Sequence, residues 1–187
     1  MNAIIFHGST PYASADRYWY WWLAGELGER GMDAVVADLP MMDREPLGDT
    51  LFAARTMDLR IDAGTILIGH SAGTNRIFSI LEQADVQVRA TYLLAGYCTP
   101  KPNRCLTLKD SYDWRRIKDH AGEVYLFNSF DDPFDCDEHQ GQLLFDHLGG
   151  TLILRSDGHF FQPTQPLLLK QLEQPDQPSA AAQETQG

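Results

Sequence analysis

Six short apolar runs rich in β-branched residues punctuate the chain, at 3–6, 34–37, 65–68, 91–94, 124–127 and 151–154. Between them lie segments of helical character, roughly 16–29, 49–58, 73–83, 112–119, 138–148 and 164–172. A strand with no polar alternation is one buried on both faces, and strands alternating with helices imply right-handed crossovers onto a parallel sheet. The pattern therefore predicts a three-layer α/β domain with a mostly parallel sheet of about six strands. No internal repeat is evident. The final stretch, "QPDQPSAAAQETQG" (174–187), contains no bulky apolar residue and is expected to be a flexible tail, leaving 1–173 as a single domain.

Composition narrows the function classes. With 43% hydrophobic and 22% charged residues, the 187-residue chain reads as globular and long enough for a substantial core. Its net charge of -11 argues against nucleic acid or an anionic membrane as partner, because both recruit clustered Lys and Arg. The opening "MNAIIFHGST" lacks the basic n-region of a signal peptide, and no apolar stretch approaches the ~20 residues of a membrane span. Cys98, Cys105 and Cys136 are odd in number and unevenly spaced, which speaks against a disulfide framework or a zinc site and for a cytoplasmic protein.

In an open α/β sheet, ligands bind beyond the carboxyl ends of the strands, so the residues following each apolar run are where chemistry is expected. The first run is followed by His7-Gly8-Ser9-Thr10, the third by Gly69-His70-Ser71-Ala72-Gly73, the fifth by Asn128-Ser129-Phe130-Asp131-Asp132-Pro133, and the sixth by Asp157-Gly158-His159-Phe160. A Ser, an Asp and a His thus fall on one sheet edge in that chain order, 61 and 27 residues apart.

Each has a chemical rationale. A G-x-S-x-G turn between strand and helix strains the serine backbone and requires small residues two before and two after it, here Gly69 and Gly73. The helix starting there offers free N–H groups and the positive end of its dipole, making the Ala72 N–H a natural oxyanion donor. A second donor is expected from the loop containing Gly8, and the Ser9 N–H is the choice. Serine needs a base, which His159 supplies, and the base needs an acid to fix its tautomer, which Asp132 supplies. Asp131 is the rival acid, with capping of its own turn as its alternative role.

The aromatic segment "YWYWWLAGEL", the elbow "IGHSAG", and "WRRIKDH", "NSFDDPFD" and "DGHF" together make residues 3–172 resemble the α/β hydrolases. The resemblance is to the small, lid-poor serine hydrolases related to retinoblastoma-binding protein nine and the YdeN-type proteins. It implies a minimal α/β-hydrolase fold with strand order 2-1-3-4-5-6 and no cap domain, and a triad at Ser71, Asp132 and His159. It further implies serine hydrolase or esterase-like activity with no cofactor and no metal. Two departures stand out: the first loop has fewer glycines than relatives carry, and Phe134-Asp135-Cys136 follows Pro133, adding an acid near the site.

Among the remaining residues, Trp19, Leu23 and Leu27 share a helical face with Trp22 beside it, a face suited to packing on the sheet. His7, Gly8, Tyr18, Trp21, Tyr97, Cys98 and Trp114 are candidate pocket residues, each with packing as the alternative. His70 is expected to be a buried, hydrogen-bonded residue, and His120, His139 and His147 to lie at the surface. The expected reaction is hydrolysis of a small ester, thioester or amide through an acyl-enzyme in a shallow, open pocket. The alternative is a binding module with a slow or idle triad, in which case a protein partner is possible.

Overall fold

A computed structural model describes residues 1–9, 13–38, 59–100 and 108–173. The expected helix over 49–58, the tail 174–187, Thr10 and Cys105 lie outside the described residues.

Six strands form one sheet: β1 (Asn2–Phe6), β2 (Asp33–Ala37), β3 (Thr65–His70), β4 (Ala90–Leu94), β5 (Glu123–Ser129) and β6 (Thr151–Arg155). All pairings are parallel, and the order is β2-β1-β3-β4-β5-β6, as the resemblance implied. Five described helices connect them: α1 (Tyr20–Glu29), α2 (Ala72–Gln83), α3 (Trp114–His120), α4 (Glu138–Leu148) and α5 (Pro166–Leu172).

The strand sequences explain the layering. Side chains alternate between faces along a strand, so a wholly apolar run feeds two cores at once. Ala3, Ile5, Ile66, Ile68, Tyr92 and Leu94 face one way, against Leu23 and Leu27 of α1 and Leu168 of α5. Ile4, Phe6, Leu67 and Leu93 face the other way, against Ile77, Phe78 and Ile80 of α2, Ile117 of α3 and Leu144 of α4. Strands β3 and β4 are buried throughout, whereas the edge strands β2 and β6 are each partly exposed. Two helices are capped by aspartates. Asp113 accepts from the Arg116 N–H at α3, and Asp137 accepts from the His139 and Gln140 N–H groups at α4.

One boundary differs from expectation. The helix anticipated from residue 16 begins at Tyr20, because Tyr18 takes a left-handed backbone (φ 57°) and Trp19 becomes the N-cap. That turn frees the Trp19 and Tyr20 side chains to point inward toward the sheet edge, where both are fully buried.

Candidate active site

Ser71 stands at the junction of β3 and α2 with φ 53° and ψ −122°, a conformation that costs a non-glycine residue about 1–3 kcal/mol. The neighbourhood over-determines it. The Ser71 N–H donates to the Leu94 carbonyl (2.9 Å), and its own carbonyl accepts from the Thr74 N–H (2.9 Å) and Thr74 hydroxyl (2.7 Å). The two flanking glycines are required by what lies against them. A Cβ on Gly69 would lie 3.0 Å from the Thr74 backbone and 2.8 Å from Ile77 Cδ1, whereas one on Gly73 would lie 2.2 Å from the Phe6 carbonyl oxygen. The first glycine lets the helix turn back over the strand, and the second lets the helix lie on β1. Gly73→Ala is accordingly expected to lower unfolding free energy by about 3 kcal/mol. Urea denaturation measures it, and an unchanged midpoint would mean that α2 can lift from β1 without cost.

The loop after β1 reaches the elbow. At Gly8 a Cβ would come within 3.3 Å of the Ser71 Cβ and 2.8 Å of the Ala13 Cβ, so only glycine allows this approach. The Ser9 carbonyl accepts the Ala13 N–H (2.8 Å). Ala72 is the first residue of α2, where an N–H has no partner within the helix.

His159 and Asp132 meet. The Nδ1 of His159 lies 2.7 Å from Oδ2 of Asp132, with both side chains almost wholly buried. The other Asp132 oxygen accepts the Phe134 N–H (2.8 Å). A carboxylate oxygen accepts, so the imidazole carries its proton on Nδ1 and presents Nε2 as a base. Asp131 has a separate task. Its exposed carboxylate accepts from the Ser129 hydroxyl (2.7 Å) and the Gly158 N–H (3.0 Å), and these bonds hold it below the usual carboxylate range. It thereby ties the turn after β5 to the turn after β6, on which His159 rides.

Three further residues hold that turn, and sequence reading assigned none of them the task. The Trp19 indole N–H donates to the Phe160 carbonyl (3.0 Å), and the Ser129 hydroxyl accepts the Asp157 N–H (2.9 Å). His70 bridges the site: its Nε2 lies 2.8 Å from the His159 carbonyl oxygen and its Nδ1 lies 2.5 Å from the Tyr20 hydroxyl. A carbonyl can only accept, so Nε2 bears the proton and Nδ1 accepts from Tyr20, whose oxygen in turn accepts the Gly8 N–H (3.3 Å). A continuous buried chain of hydrogen bonds thus links the loop beside Ser71, through Tyr20 and His70, to the backbone of His159.

Burial, reinforced by His159 nearby, holds the His70 pKa well below the ordinary 6.5, and burial also lowers that of His7. Both rings are neutral when folded but take up a proton near pH 6.5 when unfolded. Their contribution to stability is complete above that pH and is lost as pH falls below it, by up to about 1.4 kcal/mol per pH unit for each ring. Urea midpoints between about pH 8 and pH 5 should show this fall, and His70→Gln should flatten it. An equal slope in the variant would remove His70 from this account.

The candidate pocket residues divide. Gly8 lies against Ser71, and Tyr18 stacks on Phe161 (4.2 Å between centroids), which stands edge-on to His159 (4.9 Å). Phe134 closes on His159 at 4.6 Å. These rings form an apolar wall beside the imidazole, and Phe134 and Phe161 had no sequence signal beyond adjacency to Asp132 and His159. Others are corrected. Trp21 stands 59% exposed on the outer face of α1, since the shifted helix start turns it away from the sheet. Trp114 packs among the helices, edge-on to Phe78 of α2 and stacked on His147 of α4. His7 is fully buried, its Nδ1 2.7 Å from the Gly8 carbonyl, and so shapes the loop rather than lining a pocket. Tyr97 is buried in the core, and the half-buried Cys98 has its thiol pushed up to about 11 by burial. His139 and His147 are exposed and His120 is half-buried, its Nδ1 2.9 Å from the Leu81 carbonyl.

The ydeN gene product of B. subtilis superposes with a TM-score of 0.81 over 91% of this chain and 96% of its own, at 23% identity. The chain has the α/β-hydrolase fold. Est1E from Butyrivibrio proteoclasticus, solved with ferulic acid, matches with a TM-score of 0.65 at 12% identity, covering 92% of this chain and 87% of that one. A serine hydrolase of carbazole degradation, CarC, matches with a TM-score of 0.67 at 11% identity, covering 92% of each. No protein-family model matches the sequence, and no curated protein matches it. No helix among the described residues is long and apolar enough to cross a membrane.

Proposed function

We propose that this protein is a serine hydrolase acting on a small ester, thioester or amide. The observation that carries the reading is the buried 2.7 Å contact between His159 Nδ1 and Asp132 Oδ2, on the same sheet edge as the strained Ser71. That pair sets the imidazole tautomer that a serine nucleophile needs.

In the proposed reaction His159 Nε2 takes the Ser71 proton as the oxygen attacks the substrate carbonyl. Asp132 stabilises the imidazolium that forms. The oxyanion is received by the N–H groups of Ala72, at the start of α2, and of Ser9, on the loop after β1. The imidazolium then protonates the leaving group, and a second cycle with water frees the acyl group. The structural likeness to esterases and a serine hydrolase supports this class of chemistry. The apolar wall of Phe134, Phe161 and Tyr18 favours a substrate with an apolar acyl or alcohol part, taken up in a shallow, open pocket without a cofactor. We place the enzyme in the cytoplasm on the strength of its odd, unevenly spaced cysteines.

A fluorophosphonate probe tests the reading directly. It should label the wild-type protein once, at Ser71, and leave Ser71→Ala unlabelled. Equal labelling of the two, or none of either, would favour a binding module with an idle triad. A series of p-nitrophenyl esters of graded chain length, run beside aminoacyl arylamides, would then assign the substrate class.

A further inference from the structure

We propose that Asp132, Cys136 and His159 form a site for a soft divalent cation of the zinc type, and that filling it switches the enzyme off. The inhibitory consequence rests on the catalytic reading above, whereas the binding does not. An Asp132 oxygen, the Cys136 sulfur and a ring nitrogen of His159 all lie within 4.8 Å of one another, and all three residues are buried. Carboxylate, thiolate and imidazole are the three donor types that zinc takes, and a thiolate favours zinc over magnesium or calcium.

The size fits a modest closure. Zinc bonds of about 2.0–2.3 Å arranged tetrahedrally set donor atoms roughly 3.3–3.8 Å apart. The cluster therefore contracts by about an ångström at its widest, while the Asp132–His159 contact opens by somewhat less. The backbone is already shaped for this. Asn128 Nδ2 donates to the Cys136 carbonyl (2.9 Å), Asp135 just ahead of it is left-handed (φ 58°), and the Cys136 sulfur lies 3.9 Å from the Phe134 carbonyl oxygen. Phe134 and Phe161 border the imidazole and limit competition from water.

The chemistry balances without any oxidant. The cation bonds to Asp132 Oδ2, to the Cys136 sulfur after its thiol proton leaves to solvent, and to His159 Nδ1. The proton formerly on Nδ1 moves to Nε2, so the ring stays neutral and one proton is released per ion. The imidazole then presents an N–H toward Ser71 where the reaction requires a lone pair. A fourth position is left to water.

Cobalt(II) titration of the full-length protein tests the site, because a cobalt–thiolate bond gives a charge-transfer band in the near ultraviolet. The expected result is a saturable band at one ion per chain, displaced by zinc and retained in Ser71→Ala and Cys98→Ser. In Cys136→Ser the band should vanish, and in Asp132→Asn the cobalt Kd should weaken at least about tenfold. Absence of the band in the wild type, or its persistence unchanged in both of those variants, overturns the site. In parallel, zinc should suppress Ser71-dependent ester hydrolysis, EDTA should restore it, and Cys136→Ser should need at least about tenfold more zinc. A band without any wild-type hydrolysis would sink the catalytic reading alone. Hydrolysis without a band would sink the metal site alone.

Discussion

Replacing Ser71 with alanine is expected to lower kcat/KM toward an activated ester by roughly 10⁴- to 10⁶-fold, by analogy with nucleophile removal in other triads. The methyl group of alanine removes the attacking oxygen and leaves everything else in place. The strained backbone is held by Leu94 and Thr74 through main-chain atoms and the Thr74 hydroxyl, not through the serine side chain. The variant should therefore fold with an unchanged urea midpoint and an unchanged substrate affinity. Residual rate would come from the oxyanion donors and binding alone. A loss below about tenfold would mean that any hydrolysis proceeds without Ser71, and the elbow would then be a turn and nothing more.

Asp132→Asn is expected to reduce kcat by about 10³- to 10⁴-fold with little change in KM. One Asp132 oxygen accepts the Phe134 N–H, a bond that the asparagine carbonyl can keep. Its NH₂ group then faces His159 Nδ1, across the 2.7 Å contact that the carboxylate now fills. Two donors cannot share that contact, so the ring shifts its proton to Nε2 and loses its basic face toward Ser71. Asp131→Asn is the control. Asp131 is exposed and steadies the loops through Ser129 and Gly158, so its loss should cost less than about tenfold. Equal effects at the two positions would remove Asp132 from its assigned role.

The sequence by itself determined the strands, the layers and the edge on which chemistry sits. Apolar runs such as 65–68 and 91–94 must be buried on both faces, and that requirement is local enough to read from composition and spacing. The elbow was legible for the same reason, since Gly69-His70-Ser71-Ala72-Gly73 encodes its own turn. Yet the motif concealed what the glycines touch: Thr74 and Ile77 for Gly69, and the β1 backbone for Gly73.

The tertiary structure alone decided which carboxylate meets the histidine. Asp131 and Asp132 are neighbours with identical chemistry, and only the path of the β6 turn brings His159 to Asp132 and Gly158 to Asp131. It also decided which aromatics serve the site. In the run of five tryptophans and tyrosines at 18–22, helical spacing singles out Trp19 but not Tyr20, and one left-handed residue, Tyr18, precedes the two that are buried while Trp21 stays in water. The hydrogen bonds from Trp19 to Phe160 and from Tyr20 to His70 join residues 141 and 50 positions apart. Periodicity reports the face a residue shows to its own helix or strand. What it meets across such a separation is fixed only when the layers pack.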